Sequence, residues 1–585
     1  MKIKNLLLFF AIVINYNICI AQTPAAKLDT IFNNGSGIKK IELNKTTITN
    51  LTNLGMLWGF IKYYHADVCI GKYNMDAQLF RVLPKILKAK TKADANIIME
   101  QWVDNFGVPT PCPNCAPIVK TPYTVQMPDY GNLFVKDNFP TTLQKKLEYI
   151  KLNRSINIKH YYVDTIEIQG NPIFTNEYSY SQTDYPDAGI RLLALYRYWN
   201  QIQYYFPYRH LIGEDWNKVL AEFIPEFCKA KNDTNYYNTC LKLITRINDS
   251  HAYYIQHKDK PLNAILHKVH GKNEADFYTE FIDNHLYVNN YKKDTLGIKD
   301  LIKIGDEINT IDGKTVSELQ KQADLTVPAS NESVKLRQAA LLLLRTNNDY
   351  LTLNITHENI NHTLNVFCLD ILGNLIPFFI KRDAAIQSYK ILENNIGYIN
   401  PMNLTMTNFD TVKQALKNTK GIIIDLRYYP YDNSFPYTYC PWFKNKITPF
   451  MQSYVINPEI PGLFELRDTM VSGNETGEHY KDKIVLLVNE NTQSLGEFST
   501  MAFQTIPGAV TIGSQTAGAN GYVSINEFPS RFYGAITGIG IMYMDGTETQ
   551  RVGVKIDKIV KPTQKGIKEG RDELMEEALK IINGN

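Results

Sequence analysis

Nearly continuous apolar runs in the last third of the chain place the strongest constraint on its fold. They occupy residues 396–400, 421–427, 483–488 and 509–513, and stretches of helical pattern separate them. Strands that are apolar on both faces occur where helices cover both sides of a sheet. We therefore predict an α/β core over residues 373–585, built on a parallel or mixed sheet. Functional groups are expected at the carboxyl ends of its strands.

The chain has 585 residues, too many for that core alone, so we predict a multidomain protein. Residues 281–291 alternate between apolar and polar, and residues 304–314 contain Gly-Asp and Asp-Gly turns. Short strands joined by such turns indicate a small β-rich domain, which we assign to residues 269–372.

The N-terminal half contains an internal repeat. Residues 57–64 align with residues 198–205, and at the same offset Leu83-Pro84 aligns with Ile224-Pro225. Both copies have helical periodicity with aromatic residues on one face. We interpret them as two helical regions, residues 22–160 and 161–268, which pack together and position other parts of the molecule. An aromatic ligand-binding stripe is the alternative interpretation.

The first 21 residues have the form of a secretory signal peptide. Lys2 and Lys4 precede an apolar run from Leu6 to Ile14, and Cys19 and Ala21 are small residues at positions −3 and −1 of a cleavage site. The run is too short to cross a bilayer, and no later segment reaches about 18 apolar residues. We predict an exported protein, periplasmic or secreted, without a membrane span.

The cysteine spacing and the net charge limit which cofactors and partners are expected. Cys112 and Cys115 are three residues apart, which in an oxidising compartment predicts a structural disulfide, with a redox motif as the alternative. A zinc site would need a second ligand pair, and none is visible. The net charge is only +3 and is not clustered, which argues against nucleic acid as a partner. The sequence indicates no cofactor and no metal.

Ser494 follows one of the apolar strands and precedes a helical pattern from Leu495 to Gln504. With Glu497 it forms a capping-box pattern, so Ser494 alone is more typical of a helix cap than of a nucleophile. Its position at the edge of the sheet favours the nucleophile interpretation, because backbone N–H groups at the start of a helix can bind an oxyanion there. The glycine-rich loop 513–521 would let the backbone approach a ligand closely.

These residues resemble those of the tail-specific, or C-terminal processing, serine peptidases. The similarity includes Ser494-x-x-Glu497, Gly513-x-x-Thr516-x-Gly518 and the end of strand 421–427, and it extends over about residues 240–585. It implies a ClpP/crotonase-like sheet, with Glu497, Thr516 and Gly518 supporting the site. Residues 296–316 resemble an inserted PDZ domain, in which a groove binds a peptide as an extra strand.

One departure from the family pattern and one match point to a single branch of the family. Many members use a catalytic lysine just after the Thr-x-Gly turn, where this chain has Ala519. The tricorn-core-like branch uses a histidine in an Asp-Ser-His context, which matches His251. The resemblance implies His251 as the general base and Ser250 as its neighbour in the site.

The remaining candidate site residues are the partner of His251 and the two donors of the oxyanion hole. The family's late glutamate corresponds to Gln550, with Glu548 two residues away, so either residue is a candidate partner of His251. For the oxyanion hole, Leu495 N–H matches one donor. The other donor falls in the segment 428–432, and we name Tyr428 as the candidate.

The sequence therefore predicts an exported serine endopeptidase that acts through a Ser494 acyl-enzyme, with the PDZ-like domain presenting a peptide or protein substrate. Two alternatives stay open. One is a non-catalytic peptide- or ligand-binding protein that retains the fold, and the other is a hydrolase of a non-peptide ester or amide. The oligomeric state is not predicted.

Overall fold

The computed structural model describes residues 23–252, 254–255, 263–292, 297–370, 385–530 and 532–584. The predicted signal peptide lies outside these residues. Within them, no helix combines the length and apolar character needed to cross a membrane.

The N-terminal region consists of two similar groups of three helices. The first group is Lys45–Tyr64, Met75–Lys88 and Lys92–Asp104, and the second is Ala188–Tyr205, Trp216–Lys229 and Asp233–Thr245. The second and third helices of each group begin and end 141 residues after their counterparts. Trp58 Nε1 donates to Met75 O at 2.8 Å, and Trp199 Nε1 donates to Trp216 O at 2.7 Å. The same interhelical hydrogen bond is thus made twice.

The first helices of the two groups pack directly on each other. A Cβ atom added to Gly59 would lie 1.8 Å from Asn200 Oδ1, so only glycine leaves room for the Asn200 side chain there. Asn200 in turn donates to Gly55 O at 3.0 Å. The buried aromatic faces of both groups form one hydrophobic core, which also includes Phe528 and Phe532 from the C-terminal third. The helical region is therefore continuous with the strands that follow it.

Shorter elements connect these helices. They are the helices Ala25–Leu28, Ala66–Cys69, Thr141–Leu152, Arg209–Leu211 and Asn263–His270 and the strands Val163–Thr165 and Pro172–Phe174. Cys112 and Cys115 form a disulfide, as predicted, and the other cysteines of the described region are buried free thiols.

Residues 273–370 form a β-rich unit with a hydrophobic core of its own. In sheet order its main strands are Arg345–Thr346, Asn273–Ala275, Ile360–Asp370, Tyr350–His357, Glu307–Ile311, His285–Tyr291 and Phe277–Ile282, with Lys314–Thr315 beside Glu307–Ile311. Its helices are Ile298–Leu301, Val316–Ala323 and Glu332–Leu342. The strand Phe277–Ile282 ends the sheet, and Glu332–Leu342 packs beside it.

The C-terminal region has the predicted α/β architecture. Its main sheet is mixed, in the order Tyr389–Leu392, Ile396–Ile399, Gly421–Asp425, Lys483–Val488, Val510–Gly513 and Lys558–Ile559. Only the first strand is antiparallel to its neighbour. The helices are Met406–Leu416, Phe435–Thr438, Leu495–Phe503, Gln564–Lys568 and Glu573–Asn583, with short 3-10 turns at Glu393–Asn395, Pro401–Asn403 and Cys440–Phe443. The prediction of a parallel or mixed sheet is confirmed.

Two smaller antiparallel sheets adjoin this core. One contains Thr124–Gln126, Phe464–Ser472, Thr448–Ile456 and Gly540–Met542. The other contains Val523–Phe528, Phe532–Thr537 and Tyr254–Ile255. Through the last strand, the chain just before the β-rich unit pairs with the C-terminal region.

Candidate active site

Ser494 lies on a sharp turn between the strand Lys483–Val488 and the helix Leu495–Phe503. Its backbone has φ 54° and ψ −117°, a region that non-glycine residues rarely adopt. Its side chain makes no capping hydrogen bond to the helix. The serine half of the predicted capping box is therefore wrong, because the backbone twist turns the Ser494 side chain away from the geometry of a cap.

Glu497 stabilises the glycine-rich loop, and its carboxylate also accepts from the Ser494 backbone N–H, the reach-back half of a capping box. Its buried carboxylate accepts hydrogen bonds from Thr516 Oγ1 at 2.6 Å, Gly518 N at 2.8 Å and Ala519 N at 3.0 Å. Burial raises the pKa of Glu497 to about 7, against the hydrogen bonds, which lower it. Gly518 has φ +62°, and a Cβ there would lie 2.8 Å from the Arg551 backbone. Loop 513–521 is thus held by contacts that require these residues.

Loop 513–521 and the turn at Ser494 are joined through the backbone. Ser494 N donates to Ala519 O at 2.9 Å. Ala519, the residue expected at the position of the lysine that many tail-specific peptidases use, is fully buried. An alanine side chain cannot act as a base, so any base for Ser494 would have to come from elsewhere in the chain.

His251 is buried, and a two-step hydrogen-bond chain determines its tautomer. Its Nδ1 lies 2.9 Å from Thr537 Oγ1, and Thr537 Oγ1 donates to Asp249 Oδ1 at 2.9 Å. A carboxylate can only accept, so the single hydroxyl proton of Thr537 is assigned to the bond with Asp249, and Thr537 then accepts from Nδ1–H. Nε2 is then the unprotonated nitrogen, and it has no hydrogen-bond partner among the described residues. An unpaired, unprotonated imidazole nitrogen is what a general base requires.

Strand pairing brings the histidine segment to this place. Tyr254 pairs with Gly534 and Ile255 with Tyr533, and the same antiparallel register continued backwards puts residue 251 opposite residue 537. Burial lowers the pKa of His251, and the Asp249 carboxylate opposes that shift. The imidazole therefore stays neutral to a lower pH than an exposed histidine.

Hydrogen bonds made by the residues adjacent to Ser494 and His251 hold these two segments close together. Gln493 Nε2, from the residue before Ser494, donates to the carbonyl of Ser250 at 3.2 Å. Ser250 Oγ donates to Ala517 O at 3.0 Å, two residues from the Ala519 carbonyl that accepts from Ser494 N–H. Both segments are therefore attached to the glycine-rich loop.

The two backbone N–H groups predicted for the oxyanion hole, those of Leu495 and Tyr428, have different hydrogen-bond partners. The Tyr429 phenolic oxygen accepts hydrogen bonds from the Ser494 side chain and from Leu495 N–H. A donor at Leu495 is thus present beside Ser494. Tyr428 N–H already donates to Asp425 O at 3.3 Å within a turn, so this conformation commits it to the strand end.

Neither residue named as a partner of the histidine contacts its ring. Glu548 Oε2 is hydrogen-bonded to His210 at 2.9 Å, and its other oxygen accepts from Tyr454. Gln550 Nε2 donates to Asp249 Oδ1 at 3.3 Å. The assignment of Glu548 is corrected by these contacts, because both carboxylate oxygens are engaged away from His251. Gln550 reaches the site through Asp249 and, at 3.5 Å, through Ser330 Oγ.

Sequence reasoning missed Thr537 and Tyr429 as site residues, and it gave Asp249 no role of its own. Thr537 ends the strand Phe532–Thr537, which has no motif around it, so only the register of the paired strands could have found it. The β-rich unit also contributes: Ser330 N donates to Ser250 Oγ at 2.8 Å, and Arg337 donates to Gln493 Oε1 at 3.2 Å. Across the described ranges, no group of three or more acidic, histidine or cysteine side chains could hold a metal ion.

Comparison with known proteins agrees with the architecture. Residues 395–560 match peptidase family S41. The structure is similar to mature CPAF, with a TM-score of 0.53 and 13% identity over 68% of this chain and 98% of CPAF. It is also similar to the photosystem II D1 C-terminal processing protease, with a TM-score of 0.36 and 14% identity over 66% of this chain and 98% of that protease.

The tricorn protease is a third similar structure, with a TM-score of 0.35 and 13% identity over 68% of this chain and 37% of tricorn. No curated protein matches the chain in sequence. At these identities the likeness to CPAF shows a shared fold alone.

Proposed function

We propose that this chain, whose residues 395–560 form a peptidase family S41 domain, is an exported serine endopeptidase with Ser494 as nucleophile and His251 as general base. The observation that carries the proposal is the unpaired Nε2 of His251 in a buried site shared with a strained serine turn. A hydrogen-bonded acceptor on Nδ1 and a free Nε2 match the tautomer that removes a serine proton.

The reaction follows from this arrangement. His251 Nε2 takes the proton of Ser494 Oγ as the oxygen attacks the substrate carbonyl, and it later returns the proton to the leaving amine. Leu495 N–H donates to the developing oxyanion. The substrate carbonyl must first displace the Tyr429 phenol from that N–H. Water then hydrolyses the acyl-enzyme by the same base.

The β-rich unit is proposed to present the substrate, as a PDZ domain would. Its strand Phe277–Ile282 is the last of the sheet among the described residues, and Glu332–Leu342 packs beside it, so an extended peptide could add to the sheet at this side. The same helix contacts the catalytic region through Arg337, which donates to Gln493 just before Ser494. A peptide bound along that edge would lie beside the unit that touches the nucleophile turn.

A fluorophosphonate probe tests the nucleophile. In the purified full chain we expect labelling at Ser494, identified by mass spectrometry, and no labelling in Ser494→Ala. Ser317→Ala, which changes an exposed serine on the helix Val316–Ala323, is the matched control and should label like the wild type. His251→Ala should slow labelling by about 10³-fold or more. Equal labelling of Ser494→Ala would overturn the assignment.

The class of substrate and export need separate measurements. Cleavage of an unstructured peptide by the wild type but not by Ser494→Ala supports a peptidase. Turnover of a small ester with no cleavage of peptides would favour a non-peptide hydrolase, and a folded protein that never labels would favour a binding protein. Export predicts that protein recovered from the periplasm or the medium begins at Gln22, as N-terminal sequencing would show.

A further inference from the structure

Asp249 and Thr537 form a buried pair that contacts the His251 segment and engages every polar atom of the Asp249 carboxylate. Oδ2 accepts from Thr537 N at 2.7 Å. Oδ1 accepts from Thr537 Oγ1 at 2.9 Å, from His251 N at 3.0 Å and from Gln550 Nε2 at 3.3 Å. Asp249 and Thr537 are both fully buried. A carboxylate held by four donors in a buried site is pre-oriented and does not need to reorganise during a reaction.

The direction of each proton in this pair follows from the acceptors available. If Thr537 donated its proton to His251 Nδ1, the 2.9 Å contact between Thr537 Oγ1 and Asp249 Oδ1 would have no proton between two oxygens. Such a contact between unprotonated oxygens is repulsive, and in a buried site the cost is high. The arrangement in which Nδ1–H donates to Thr537, and Thr537 donates to Asp249, satisfies all three groups.

We propose that Thr537 and Asp249 together position His251 and stabilise its charged form, in place of a carboxylate that contacts the ring directly. This inference rests on the proposed function. When Nε2 takes the Ser494 proton, Nδ1–H stays on the ring and donates to Thr537, whose own proton stays on Oγ1 and points to Asp249. No proton moves along the chain. The negative charge of Asp249 and the oriented hydroxyl dipole stabilise the imidazolium until Nε2 gives its proton to the leaving amine.

The Asp249–Thr537 pair also explains how a neutral glutamine at position 550 is compatible with a charged His251. An amide at Gln550 cannot supply a charge, and its contact with this group is an N–H donated to Asp249 Oδ1. The negative charge is provided instead by Asp249, which lies beside Thr537 because of strand pairing. Both are positioning residues, since neither touches the substrate.

Substitution of Thr537 gives the first test. Thr537→Val keeps the shape but removes the hydroxyl, and we expect kcat for a cleaved peptide to fall about 100-fold with little change in KM. Thr537→Ser keeps the hydroxyl and should retain activity within a few-fold. Thr419→Val, at a buried threonine of the α/β core away from the site, is the matched control and should leave kcat unchanged. Gln550→Ala should lose less activity than Thr537→Val.

The tautomer gives a second test that does not depend on activity. In protein labelled with ¹⁵N-histidine, with His251→Ala used for assignment, the resting His251 should show a protonated Nδ1 and an unprotonated Nε2. In Thr537→Val this preference should weaken, while Thr537→Ser should keep it. If Thr537→Val unfolds, as a thermal melt would reveal, the tautomer of the wild type and the kinetics of Thr537→Ser still test the proposal.

The outcomes separate the two levels of proposal. A wild type that is labelled at Ser494 while Thr537→Val has the kcat of the wild type would overturn the role of the pair and leave the peptidase intact. A resting His251 protonated on Nε2 would overturn it as well. A wild type that is never labelled would overturn the proposed function, and the role of the pair with it.

Discussion

His251 and Thr537 lie opposite each other on paired segments although 286 residues separate them in sequence, and Nδ1 of the imidazole is 2.9 Å from the threonine Oγ1. The contact joins the segment before the β-rich unit to a strand near the end of the chain. The site is therefore assembled only when both parts of the chain have folded.

Asp249→Asn should lower kcat/KM by about 100-fold or more, because the amide removes the charge that stabilises imidazolium. The acid limb of the wild-type pH profile should lie below 6.5, since burial lowers the pKa of His251. The Asp249 charge raises that pKa, so in Asp249→Asn the limb should move to still lower pH. A profile measured for both proteins between pH 4 and 9 decides this. A limb that moves upward in the variant would contradict the electrostatic assignment.

Tyr429→Phe should accelerate labelling of Ser494 by a fluorophosphonate about five-fold. The phenolic oxygen accepts hydrogen bonds from the Ser494 side chain and from Leu495 N–H, and each such bond must break before a ligand oxygen binds there. Tyr431→Phe, at an exposed tyrosine two residues later, is the matched control. Slower labelling of Tyr429→Phe would show instead that the phenol donates to the bound oxyanion.

Glu497→Gln should change how stability depends on pH. The pKa of Glu497 is raised from 4.5 to about 7 in the folded protein, so the folded state binds more protons than the unfolded state between these values. The stability of the wild type should therefore fall, through this group, as pH rises from about 4.5 to 7. Glu497→Gln should lack this contribution. Thermal midpoints of both proteins at pH 5 and pH 8 measure it, and parallel midpoints would contradict the raised pKa.

Gly59→Ala should destabilise the folded protein by about 1–3 kcal/mol, because the new methyl group would overlap the Asn200 side chain. The atoms that it would meet are Asn200 Oδ1, Cγ and Nδ2, so Asn200→Ala removes all of them. In urea unfolding, the double variant should therefore be more stable than the sum of the two single effects. Strictly additive effects would show that the two helices do not meet at this point.

The sequence predicted parts of this structure that depend on local patterns. The mixed sheet followed from its apolar runs, and the disulfide from the spacing of Cys112 and Cys115. Ser494 and His251 stood out because each has a short motif around it. The partner of His251 was missed for a physical reason: Thr537 becomes a neighbour through strand register, which no local pattern encodes. Glu548 is two residues from the position that corresponds to the late glutamate of the tail-specific peptidases. Its carboxylate is nevertheless hydrogen-bonded to His210 and Tyr454 and not to His251.

The helical core includes Phe532, on the strand that carries Thr537, and Phe528, on the strand paired with it. This continuity has a practical consequence for fragments. A protein trimmed to residues 395–560 would lose His251 and Asp249, and the aromatic side chains of those strands would face water. Such a fragment should aggregate rather than act as a minimal enzyme. The smallest autonomous unit of this protein is therefore much larger than its recognisable domain.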